Sequence, residues 1–118
     1  MKKKLFFLIL STLAILMLAA CSSGAAINTD TSMEMSHNRF SGTETRTVFL
    51  SADTEVTVGV VTNGGRVDLE VIGDNGITPF HANNFMTNTV AFTISEDGYY
   101  TISIVGNSHN GSVNFSWE

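Results

Sequence analysis

Residues 99–118 read YYTISIVGNSHNGSVNFSWE. Tyr100, Ile102 and Ile104 alternate with Thr101 and Ser103, and Val113, Phe115 and Trp117 alternate with Asn114 and Ser116. A period of two marks strands with one buried and one wet face. The intervening GNSHNG, Gly106 to Gly111, predicts a hairpin loop between two antiparallel strands. In this phase Trp117 joins the core and ties the C-terminus into the sheet. Tyr99 falls on the wet face, where a phenol ring can stack on a sugar.

The same alternation recurs toward the N-terminus. TRTVFLS, EVTVGVVT, RVDLEVIGD and TVAFTIS read as strands rich in β-branched and aromatic residues. NGG at 63–65 predicts a tight hairpin, EDG at 96–98 a short one, and GDNG at 73–76 the end of a strand. The connection ITPFHANNFMTN, residues 77–88, is too long for a hairpin. It is expected to cross between sheets, with Phe80 and Phe85 plugging the sandwich end. After Cys21 no helical period of useful length remains. The expected fold is all-β: a small antiparallel β-sandwich, jelly-roll-like, of about six to seven strands. A closed barrel is the competing architecture.

The N-terminal part is different. Lys2, Lys3 and Lys4 precede an apolar run from Leu5 to Leu18 and then Ala19 and Ala20. This is the order of a secretory signal peptide, and the run is shorter than the roughly 18 to 20 residues that span a bilayer. An uncleaved membrane helix is the alternative. The residues LAAC, 18–21, resemble the lipobox of bacterial lipoproteins. That resemblance implies cleavage before Cys21, lipidation of Cys21, and anchoring to the membrane through its acyl chains. Residues 1–20 are thus read as the signal, 21–42 as the lipidated cysteine and a flexible tether, and 43–118 as the sandwich. Small and polar residues dominate the tether, although Met33 and Met35 stand at strand spacing.

Without the three lysines the chain carries Arg39, Arg46 and Arg66 against eleven acids, a net charge of −8. A nucleic-acid partner needs clustered cations and is excluded. So is electrostatic attraction to anionic lipid.

Candidate chemistry is sparse. His37 lies in the tether, and His81 and His109 are expected in solvated loops. No paired-histidine spacing marks a metal site. Zinc held by His81, His109 and Asp74 requires the loops to meet at one end. Serines are plentiful, but none sits in a G-x-S-x-G elbow. Asp68 and Glu70 share a strand face, about 7 Å apart by strand rise, and read as a wet face balanced by Arg66. The candidate binding residues are Tyr99, Phe80, His81 and His109. No catalytic residue and no cofactor is assigned.

The strand-and-turn order across residues 45–118, with VDL preceding GDNG and a G-x-Y-x-I strand preceding the last alternating segment, resembles bacterial pre-peptidase C-terminal domains. That resemblance implies a β-sandwich accessory module. The expected function is non-catalytic binding or support at the outer face of a bacterial cell membrane or outer membrane, lipid-anchored, with a glycan or an envelope protein as partner. The alternatives are a structural envelope component and a small metal-assisted hydrolase using loop histidines.

Overall fold

The computed structural model describes residues 26–118. The expected signal segment and Cys21 lie outside the described residues. Six antiparallel strands follow in order: β1 (Ala26–Thr29), β2 (Ser32–Leu50), β3 (Glu55–Gly73), β4 (Phe80–Ala82), β5 (Asn88–Thr93) and β6 (Gly98–Trp117).

Strands β2, β3 and β6 are each long enough to serve two layers. The distal half of β6 pairs Val113 with Met35 and Val60, and Phe115 with Met33 and Val58. Its proximal half pairs Ile102 with Arg46 and Val71, and Ile104 with Glu44 and Leu69. β1 extends the first layer beside β2, and β5 extends it beside the start of β3. β4 extends the second layer beside the end of β3. One hydrogen-bonded sheet is thereby folded over on itself as a β-sandwich.

The fold line crosses the three strands side by side. Register shifts fall between His37 and Gly42 in β2 and between Thr62 and Arg66 in β3. Backbone of positive φ clusters there, at Arg39, Gly42, Gly65, Ser108 and Gly111. A β-bulge bends a strand and sharpens its twist, and bulges aligned in neighbouring strands bend the whole sheet. Two glycines are demanded by close approach. A Cβ at Gly65 would collide with the Ser108 carbonyl, and one at Gly111 with the Val61 carbonyl.

Three expectations are corrected here. NGG and GNSHNG are not hairpin loops, because the chain runs on through them as β3 and β6. Glycine and asparagine supply positive φ, which a bulge uses as readily as a reverse turn. EDG joins no hairpin either: β5 pairs with β3, whereas β6 begins against Leu50 of β2. The chain changes layer at this turn. Finally, residues 26–42, expected in a tether, stand in β1 and β2. Met33 and Met35 are fully buried, and burial of that pair outweighs the polar composition around them.

The inward faces form one core that includes Met33, Val58, Leu69, Ile102, Ile104 and Phe115. Trp117 belongs to it, as its phase predicted. The 77–88 connection crosses between layers as expected. Phe80 of β4 stacks on Phe92 of β5 at 5.2 Å and meets Phe115 edge-on at 6.5 Å, while Phe85 packs against Phe80. Arg46 points inward and clamps the open side: its guanidinium donates to the carbonyls of Ser32 and Thr29, each at 2.8 Å, and covers the Trp117 ring. Tyr100 is buried, and its hydroxyl donates to the Glu96 carbonyl at 2.6 Å, fixing the turn that opens β6.

Gly65→Ala is expected to destabilise the protein by about 3 kcal/mol, because it combines positive φ with a backbone collision. Gly76 has positive φ but open space around it, so Gly76→Ala should cost only about 1 kcal/mol. Urea denaturation of both variants checks the contrast.

Candidate functional site

Two clusters stand out. The first sits at the fold line, with one histidine buried and the other half-buried. His37 of β2 and His109 of β6 approach edge to face, with 2.7 Å between His37 Nε2 and His109 Nδ1. The other nitrogen of His109 lies 3.0 Å from the Thr62 hydroxyl of β3, and that hydroxyl donates to the Phe85 carbonyl at 3.1 Å.

This network assigns the protons. Thr62 has one proton and gives it to Phe85, so its oxygen accepts from His109 Nε2–H. His109 Nδ1 is then a bare acceptor and takes the proton of His37 Nε2–H. His37 Nδ1 is left as a lone pair, and it is a buried polar atom without a partner among the described residues. The chain of donors is complete with both rings neutral.

Burial lowers the pKa of both histidines, and for His37 the neighbouring His109 lowers it further. The groups packed around the pair are the Phe40 ring of β2, the Thr62 hydroxyl of β3 and the Phe85 carbonyl. None of them carries a charge. His37 also borders a shallow open hollow of about 470 Å³ with Asn38, Asn63 and Asn110.

The second cluster is the outer face of the second layer. Phe49 and Tyr99 pair across β2 and β6, with rings edge to face at 5.3 Å. They are 53% and 55% exposed. One row inward, Thr47 and Thr101 bond through their hydroxyls at 2.8 Å, and Thr101 stands opposite the exposed Ile72 of β3. One row further, Ser103, Glu70 and His81 lie abreast on β6, β3 and β4. They border a small hollow of about 200 Å³ with Asp68 and Asn83. The Asn84 amide and the Arg66 guanidinium hold the Asp68 carboxyl below the usual carboxylate range. Asp68 accepts from Asn84 at 2.7 Å and from Arg66 at 3.0 Å.

The predicted site residues therefore separate. Tyr99 and His81 share the outer face of the second layer. Phe80 is half-buried among core aromatics. His109 is fully buried rather than solvated, and both its ring nitrogens are engaged. The three donors named for zinc are not brought together, and no group of three or more metal-ligating side chains occurs among the described residues. Sequence reading missed Phe49, although its place between Val48 and Leu50 marks it as outward. It also missed the link from His37 to His109, for which only the β2–β6 register gives a signal.

No protein-family model and no curated protein sequence matches the chain. In fold the chain is similar to the pre-peptidase C-terminal domain of collagenase from Bacillus anthracis. The identity is 13%, over 78% of this chain and 91% of that one, with a TM-score of 0.55. It is also similar to Salmonella Typhimurium PliG, a periplasmic lysozyme inhibitor of g-type lysozyme. There the identity is 14%, over 78% of this chain and 95% of that one, with a TM-score of 0.50. The fold that residues 45–118 implied is the fold observed, and among the described residues it already includes β1 and the start of β2.

The histidine pair makes stability depend on pH. The unfolded chain takes up protons near the ordinary histidine pKa of 6.5, and the folded chain only at lower pH. Between the two the unfolded state binds more protons, so stability is full above about pH 6.5 and falls as the pH drops below it. Thermal unfolding between pH 7.5 and 5.5 should show a falling midpoint, and His37→Gln should flatten that slope.

Proposed function

We propose that the chain is a lipid-anchored, non-catalytic binding module at the extracytoplasmic face of a bacterial envelope. In this reading Cys21 carries the acyl chains, and two or more chains hold where one would not. The outer face of the second layer is presented to a glycan or an envelope protein. The observation that carries the reading is the Phe49–Tyr99 pair, two large rings left half in water on a face that also presents Thr47, Thr101 and Ile72. Exposed aromatics of this kind anchor partners because they bury much area at little entropic cost.

Two features support this face over the other candidates. His109 is committed to the interior, where a partner does not reach it, and Phe80 is half-buried with its ring packed on Phe92 and Phe115. The similar solved structures include an inhibitor of g-type lysozyme and a C-terminal domain of a collagenase, which fits a module that works by contact. His81, beside Glu70 and Ser103, extends the same face and adds polar contacts at its far end.

Replacing both rings, Phe49→Ala with Tyr99→Ala, should reduce by tenfold or more the envelope material that the immobilised, detergent-solubilised full-length protein retains. Its far-UV circular dichroism should be unchanged. Undiminished retention of envelope material removes this face from the reading. Cys21→Ala should abolish incorporation of labelled fatty acid and release the protein from membranes; normal labelling of that variant contradicts the anchor.

A further inference from the structure

We infer that the partner of this face is a cationic polypeptide, one that presents Lys or Arg side chains to the Phe49–Tyr99 pair. The inference rests on the binding face proposed above and names the chemistry that fits it.

Charge is distributed unevenly around the aromatic pair. Carboxylates crowd the end of the sandwich where the pair sits. The Asp74 amide donates to the Tyr99 carbonyl at 2.9 Å, and a Cβ at Gly98 would meet the Asp74 carboxylate at 3.2 Å. Asp97 accepts from the Ala52 amide at 2.7 Å, two residues beyond Leu50. Asp53 and Glu96 are exposed in the same two turns, and Glu70 lies on the face itself.

The arginines are elsewhere. Arg46 is turned inward onto the Ser32 and Thr29 carbonyls and the Trp117 ring. Arg66 is paired with Asp68 at 3.0 Å. Arg39 lies at the fold line, the other end of the layer. No cation among the described residues is left to balance the carboxylates beside Phe49 and Tyr99.

An exposed ring face next to unbalanced carboxylates is a receptor for a cationic side chain. The stem of a lysine or arginine packs on Phe49, and its head meets both the π-face of Tyr99 and the carboxylates. The ring geometry favours a polypeptide over a glycan chain. Phe49 and Tyr99 stand 70° apart, so they form no continuous platform for successive sugar rings. The field of the acidic end would also speed encounter with a basic partner.

The test uses the full-length protein in detergent, immobilised, with poly-L-arginine, poly-L-glutamate and a neutral chitin oligomer as probes. Poly-L-arginine should bind, more weakly as salt rises, and poly-L-glutamate should not. Tyr99→Ala and Asp74→Asn should each weaken poly-L-arginine binding at least fivefold. Glu34→Gln, on the outer face of the first layer, should leave it within twofold. Binding that ignores Tyr99→Ala, or that Glu34→Gln weakens as much as Asp74→Asn, reduces the effect to net charge and overturns the inference. Tyr99-dependent binding of the chitin oligomer without binding of poly-L-arginine also overturns it, while leaving the binding face in place. Failure of the face itself is read separately, from retention of envelope material that survives loss of both rings.

Discussion

Three neighbouring strands must bend at one height, because they share a hydrogen-bonded ladder. A strand that bent alone would tear its amides away from both neighbours, and buried unpaired amides are costly. The bulges in β2 and β3 and the positive-φ residues of β6 are therefore one structural event. It turns a single sheet into two layers and closes the core between Phe115 on one side and Leu69 and Ile104 on the other. Gly65 and Gly111 allow it, since the opposing carbonyls leave no room for a side chain.

The fold line also explains the buried histidines. A bend in a sheet leaves the inner corner too irregular for close packing by aliphatic residues alone. His37, His109 and Thr62 fill it, one from each long strand, and satisfy one another in a directed chain of hydrogen bonds. A neutral pair is tolerated there, whereas a protonated one would bring charge into a corner without a counter-ion. The same corner is thus satisfied near neutral pH and a weak point in acid. The aromatic face lies at the far end of the second layer. The exposed aromatic rings and the stabilising corner are kept apart, so these rings are side chains that the core does not need.

Much of this was legible in the sequence. Alternation placed Val67, Leu69 and Val71 inside and Arg66, Asp68 and Glu70 outside, and the same rule put Tyr99 in water and Trp117 in the core. The crossing of residues 77–88 and the role of its phenylalanines followed from length and composition. What failed was the meaning of the glycines. NGG and GNSHNG state that the backbone turns through positive φ, and nothing local says whether it returns on itself or bends and continues. That choice is made by long-range pairing, such as Gly111 beside Val61. Residues 26–42 were obscured for a related reason: their polar outward face dominates the composition, and only Met33 and Met35 betray the inward one. Tyr99 could be named as a candidate from its phase. Its partnership with Phe49, and the absence of an arginine beside them, needed the fold.

The most direct test of the folded sheet is the pattern of close backbone contacts seen by nuclear Overhauser effects across residues 56–72 of β3. A strand that bends and continues pairs Thr62 with Gly111 and Arg66 with Asn107, so contacts should run from β3 to β6 on both sides of Gly64. A reverse turn at Asn63–Gly65 would instead show Thr62 against Arg66 and Val60 against Asp68. That second pattern would contradict the bent strands and, with them, the corner and the placement of the aromatic face.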